Sequence, residues 1–127
     1  MQNKAGATIL FNRKLSGIEF FNFYLTLWST TQSKKHSLTP TEIKALANII
    51  MDNSSFYGNG RARAARRLRT SYNSYSVILH NLVKKGMLVR VQEGYALPGH
   101  LQSVVDSYLN NDILNISFEI DTSTNQR

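Results

Sequence analysis

Between Leu38 and Asp52 apolar residues return every three or four positions: Ile43, Leu46, Ala47, Ile50 and Met51 share one side of a 3.6-residue helix. Thr39, Pro40 and Glu42 mark its start, with an N-cap hydroxyl, a proline at the first helical position and a carboxylate at the third. The helix is expected to run to about Asp52. Asn53-Ser54-Ser55-Phe56-Tyr57-Gly58-Asn59-Gly60 then breaks the pattern with a loop whose two glycines can take conformations that other residues avoid. A second, short helix is expected over RARAARRLRT, residues 61–70, with Ala64, Ala65 and Leu68 on a narrow face and Arg63, Arg66, Arg67 and Arg69 around the remainder. Thr70-Ser71-Tyr72-Asn73-Ser74 reads as a turn and cap. Tyr75, Ile78, Leu79, Leu82 and Val83 then define the buried face of a third helix, which stops before Gly86. Met87 to Val91 and Tyr95 to Leu97 are β-prone, separated by Gln92-Glu93-Gly94, and predict a hairpin closed by Pro98-Gly99.

The ends of the chain are less sharply patterned. ATILFNRKLSGIEFFNFYLTL, from Ala7 to Leu27, is rich in β-branched and aromatic residues, and Ser16-Gly17 is turn-like, so a β-hairpin is expected. Ile18, Phe21, Leu25 and Trp28 also fall at helical spacing, which keeps a helix from Ile18 to Trp28 open as the competing reading. TTQSKKHS follows as a polar linker. Beyond the central unit lie an amphipathic segment from about His100 to Leu109, a strand-like Ile113 to Ile120 and a polar tail expected to be loose. The prediction is an α+β chain: an N-terminal aromatic-rich extension at 1–33, a three-helix unit with a hairpin at 34–99, and a C-terminal helix/strand extension at 100–127.

Composition narrows the class. A chain of 127 residues suits one core with extensions, and 42% hydrophobic against 18% charged residues are globular proportions. The absence of cysteine excludes disulfides and thiolate chemistry. No apolar run is long enough for a membrane span and MQNKAGATILFNRK lacks the apolar core of a secretion signal, so a soluble, cytoplasmic protein is expected, nucleoid-associated or, if viral, in the virion or host cytoplasm. The net charge of +7 is unevenly spread. Residues 53–92 hold Arg61, Arg63, Arg66, Arg67, Arg69, Lys84, Lys85 and Arg90, eight cations without an acid, whereas the rest of the chain has seven cations against eight acids. One forty-residue block therefore owns the positive potential, and that points to a localised polyanion-binding surface.

Helix, short basic helix, turn, helix, glycine and hairpin is the order of a winged helix-turn-helix domain. AARRLRTSYNSYSVILHNLVKKGMLVRVQEGYAL resembles the core of bacterial and phage winged-helix regulators at Ala65 and Leu68, at Tyr75, Leu79 and Leu82, along Lys84-Lys85-Gly86-Met87-Leu88-Val89-Arg90, and at Gly94 and Tyr95. It spans roughly residues 38 to 98. The chain departs from the family in its loop of about eight residues between the first two helices and in the arginine content of the second. The resemblance implies a three-helix core with a β-hairpin wing, double-stranded DNA as partner, and a third helix that enters the major groove while its neighbour crosses the phosphates. Asn73, Val77, His80 and Lys84 form the outward stripe of that helix, with Ser76 and Asn81 beside it, and are expected to face base edges. Arg61, Arg63, Arg66, Arg67, Arg69, Lys85 and Arg90 are expected on phosphates, where they supply salt-dependent affinity without sequence information. A small regulator of transcription or replication is the function so implied.

Other chemistries fare worse. His36, His80 and His100 are widely separated and have no metal-ligand spacing, and Gly58-Asn59-Gly60-Arg61 lacks the lysine-serine/threonine ending of a phosphate loop. Nothing sets a nucleophile beside a base, so no enzyme is predicted, and neither cofactor nor small-molecule ligand. The Ala/Leu face of the basic helix has no bulky side chain for a membrane surface. An RNA-binding role for the arginines stays open, since phosphates do not separate RNA from DNA. Phe20, Phe21, Phe23, Tyr24 and Trp28 are expected to pack, either over the central unit or in a homodimer interface built from both extensions. The rival function is a protein-interaction or assembly module, such as a phage structural or accessory protein, that uses the same fold with nonspecific nucleic-acid contact.

Overall fold

A computed structural model of the chain describes residues 15–52, 58–92 and 94–111. Within them lie five helices and one two-stranded antiparallel sheet, an α+β arrangement: α1 Gly17–Thr30, α2 Pro40–Met51, α3 Gly58–Arg67, α4 Tyr72–Lys84, β1 Val89–Val91, β2 Gly94–Ala96 and α5 Gly99–Leu109. The expected strand at 113–120, the residues before Leu15 and the loop residues 53–57 fall outside the described residues.

The N-terminal hairpin expectation is corrected. Ser16-Gly17 starts a helix, because Ser16 accepts from the Glu19 N–H at 3.3 Å while the Glu19 carboxylate accepts from the Ser16 N–H at 3.0 Å. That reciprocal cap satisfies two donors that a helix start otherwise leaves open. Gly17 then permits contact with its neighbours, since a Cβ there would collide with the Met51 side chain and the Tyr108 hydroxyl. Phe21, Leu25 and Ser29, four residues apart, form the buried side of α1.

The linker that follows is tied to the core by Ser29, whose buried hydroxyl accepts from the Leu38 N–H at 2.7 Å. Thr39 and Glu42 then cap α2 reciprocally, as their spacing predicts. The α2 face of Ile43, Leu46, Ala47, Ile49 and Ile50 meets α1 on one side and α4 on the other. Leu79, Leu82 and Tyr75 of α4 and Ala64 and Ala65 of α3 close the same core.

The loop expected up to Gly60 is shorter than predicted, because α3 already begins at Gly58. The flanking helices α1 and α5 contribute to the core. Tyr108 of α5 packs against Phe20 and Phe21 with ring centroids 5.6 and 5.2 Å apart, Trp28 stacks on His100 at 6.0 Å, and Leu101 is fully buried. The aromatic cluster of α1 is thus used within the chain, while Phe23 stays exposed. No helix among the described residues is long and apolar enough to cross a membrane.

Candidate nucleic-acid interface

The small side chains of α3 let it lie close on the core. Ala64 and Ala65 are buried, Leu68 is partly so, and Arg63, Arg66, Arg67 and Arg69 are exposed, as the helical projection of residues 61–70 places them. The helix ends in a Schellman motif: the Arg69 N–H donates to the Arg66 carbonyl at 2.9 Å and the Thr70 N–H to the Ala65 carbonyl at 3.0 Å. Arg69 occupies the left-handed position of that motif, with φ 56°, where glycine is the residue without a steric cost. An arginine therefore sits at this turn against local preference, and such outliers concentrate where a side chain has work to do. Arg69→Gly is expected to stabilise the fold by about 0.5–1 kcal/mol while weakening any polyanion binding; thermal unfolding and binding of the same preparation would check this opposition of signs.

Only four residues, Leu68 to Ser71, separate α3 from α4, and the two helices pack on one another. Ser71 caps α4 by accepting from the Ser74 N–H at 3.0 Å. At the other end Gly86, φ 79°, closes a second Schellman motif through bonds from Gly86 to Val83 and from Met87 to Leu82. Tyr75, Leu79 and Leu82 face inward, which orients the opposite stripe outward. Asn73, Val77, His80 and Lys84 are all exposed there, Val77 at 58%. Ser76 and Asn81 flank them, half-buried, and the Ser76 hydroxyl already donates to the Tyr72 carbonyl at 3.0 Å. Tyr72, on the first turn and 47% exposed, joins this surface although its spacing did not single it out.

The fold brings Asp52 and Glu42, acids outside the basic block, to cations within it, which the sequence pattern does not disclose. Asp52, just past α2, holds Arg67 at 2.7 Å on the surface. Glu42, in the first turn of α2, accepts from Lys85 Nζ at 2.6 Å, and here the side chains are only 6% and 19% exposed. Lys85, expected on a phosphate, is thus committed to a largely buried ion pair. Arg66, Arg69 and Lys84 make no ion pair among the described residues.

The β1–β2 hairpin adds a cation from the other side. Its register pairs Val89 with Ala96, Arg90 with Tyr95 and Val91 with Gly94, so Gly94 belongs to the strand rather than to the turn. All three residues of β1 are exposed. Arg90 lies over the Tyr95 ring at 5.8 Å, and Arg61 from α3 lies over the same ring at 5.6 Å.

The described residues present guanidinium groups on α3 and the hairpin and, on α4, a mixed row of amide, imidazole, ammonium and methyl groups; the first are group types that can contact anions, the second ones that can contact polar and methyl edges. No protein-family model, curated protein or solved structure matches this chain.

Proposed function

We propose that this chain is a non-enzymatic, cytoplasmic winged helix-turn-helix protein that binds double-stranded DNA, a small regulator of transcription or replication. In this reading α2, α3 and α4 are the three helices, α4 enters the major groove, α3 crosses the phosphates and the β1–β2 hairpin is the wing. The observation that carries it is the pairing of an exposed, acid-free stripe on α4 with the arginines of the helix packed against it. A helix fits the major groove, and a neighbour at a fixed angle holds it there by backbone contacts. The placement of an arginine at φ 56° between the two helices supports the same reading. Arg61, Arg63, Arg66, Arg69 and Arg90 serve as phosphate contacts; Arg67 and Lys85 do so to the extent that Asp52 and Glu42 release them.

Specificity falls to Asn73, Val77, His80 and Lys84, flanked by Ser76 and Asn81. Asn73 suits an adenine edge and Val77 a thymine methyl. Asn73→Ala and His80→Ala are expected to lower discrimination about tenfold at one base position each and to leave binding to random duplex nearly unchanged. Selection from a randomised duplex pool, followed by sequencing and by anisotropy titration against matched RNA across a salt series, measures this directly. A steep salt slope with an enriched motif supports a sequence-specific regulator. A steep slope without enrichment leaves a packaging or docking surface, and the absence of binding transfers the function to protein interaction.

A further inference from the structure

We infer that the turn between α1 and α2 is a second phosphate-contacting site, with Lys34 and Lys35 on the DNA backbone beside the groove that α4 enters. The inference rests on the DNA-binding reading above and deepens it. In the sequence these two lysines stand in a polar linker, outside the basic block of residues 53–92. The fold carries that linker to one end of α4. One oxygen of the Glu42 carboxylate, Oε1, accepts both from the Thr39 N–H at 2.9 Å and from Lys85 Nζ at 2.6 Å, so the segment leaving the turn lies against the residue that caps α4. On the side that enters the turn, Trp28 stacks on His100 at 6.0 Å, and His100 Nε2 lies 3.3 Å from the Gly86 carbonyl oxygen. Both ends of the turn are thus held beside residues 84–86, where the exposed Lys84 ends the outward stripe of α4.

The turn has a fixed shape that presents its cations. The Ser33 carbonyl accepts from the His36 and Ser37 N–H groups, each at 2.9 Å, and the Ser37 hydroxyl donates to the Lys34 carbonyl at 3.1 Å. Lys34 and Lys35 are therefore the two central residues, and both are exposed. Behind them the buried Ser29 hydroxyl holds the Leu38 N–H at 2.7 Å. Residues 31–39 contain no acid, and neither lysine makes an ion pair among the described residues. Glu42, the carboxylate at the end of the segment, is already committed to Lys85. Lys34, Lys35 and Lys84 thus form a run of like charge whose repulsion a phosphate backbone would relieve. An ammonium is a point charge on a flexible stem, which suits a phosphate oxygen met at no fixed angle.

Lys34→Gln combined with Lys35→Gln should flatten the slope of log affinity against log salt by about 1.8 and weaken binding about 30-fold near 0.15 M salt, equally on a selected and a scrambled duplex. Lys44→Gln is the control for net charge. Lys44 is exposed two positions beyond Glu42, and so on the opposite side of α2, and its loss should leave the slope unaltered. Acetylation of the unaltered chain with and without duplex, read by mass spectrometry, should show Lys34 and Lys35 protected by DNA and Lys44 unprotected. Circular dichroism and thermal unfolding verify that each variant is folded; if the double variant is not, the protection measurement decides. A folded double variant with an unaltered slope overturns the site, and with a lowered Tm it would confine the lysines to the negative C-terminal end of α1. Lysines 34 and 35 that stay equally reactive on duplex overturn it too, as does a Lys44→Gln that loses as much per charge. An unaltered chain that binds duplex without salt dependence, or not at all, overturns the DNA-binding reading and this site with it, so the two failures are distinct.

Discussion

Replacing Arg66 and Arg69 together by glutamine is expected to weaken duplex binding about 30-fold near 0.15 M salt, by the same factor on every sequence. The magnitude comes from counterion release. Each phosphate contact contributes about 0.9 to the slope of log affinity against log salt, so loss of two flattens it by about 1.8. Lines of different slope converge near 1 M salt, where release no longer favours binding, and a difference of about 1.8 grows to about 30-fold at 0.15 M and about 200-fold at 0.05 M. Both side chains are exposed and neither makes an ion pair among the described residues, so the folded state should not register their loss. Anisotropy titrations at four salt concentrations, on one selected and one scrambled duplex, give both slope and factor. A loss confined to the selected duplex would assign these arginines to bases, and an unchanged slope would remove α3 from the interface.

Lys85 provides the contrast. Its ammonium is held by Glu42 at 2.6 Å, and releasing it to a phosphate would leave a buried carboxylate with only the Thr39 N–H for compensation. Charge on a sequence is thus a poor guide to charge on a surface. Arg67 and Lys85, both in the basic block of residues 53–92, pair with acids lying outside it, Arg67 with Asp52 and Lys85 with Glu42. Forty-three positions separate Glu42 from Lys85, and no periodicity links them.

What was legible depended on whether the signal was local. The cap at Thr39, the cap within Thr70–Ser74, most of the inward faces of α2 and α4, and the glycine stop at Gly86 follow from interactions within about five residues, and the structure has them there. On α2, however, Met51, expected on the inward face, is 44% exposed at the helix end, and Ile49, off that expected face, is fully buried. Ser16-Gly17 is equally local but ambiguous, because the same two residues serve a tight turn or a helix start. Glu19, three residues on, was the discriminating signal, and the aromatic and β-branched side chains around it obscured it. Phe21 and Leu25 lie at 0% exposure four residues apart, a spacing that a strand would have put on one face only with the intervening Phe23. The pairing of Arg90 with Tyr95 could have been inferred from the hairpin with Gly94 counted in the strand. The arrival of Arg61 on the same ring could not, since it depends on how α3 sits on the core.

The strongest effect on stability is expected at Glu42. It joins two elements: it completes the α2 capping box by accepting from the Thr39 N–H at 2.9 Å, and it holds Lys85, the C-cap residue of α4, at 2.6 Å. Glu42→Ala removes the side-chain half of the capping box, leaving the Thr39 hydroxyl on the N–H of residue 42, and leaves an ammonium at 19% side-chain exposure without its counter-charge. Loss of one partner from a buried pair costs about 3–5 kcal/mol, and the partial exposure of Lys85 argues for the lower end, about 3 kcal/mol. For a chain of this size that lowers Tm by about 10 °C. Replacing both partners separates the pair from its desolvation: Glu42→Gln with Lys85→Met keeps an acceptor for the Thr39 N–H and buries no charge, and it should recover most of the loss. Since Lys85 sits at the end of α4, the double variant also tests where that lysine acts. Thermal unfolding near the wild-type value with an unchanged salt slope of DNA binding would identify Lys85 as a strut between α2 and α4, whereas a slope flattened by about 0.9 would return it to the phosphates. If Glu42→Ala alone unfolds within 1 °C of the unaltered chain, the pair does not hold α4 to α2, and the orientation of the α4 stripe must rest on the apolar contacts of Tyr75, Leu79 and Leu82.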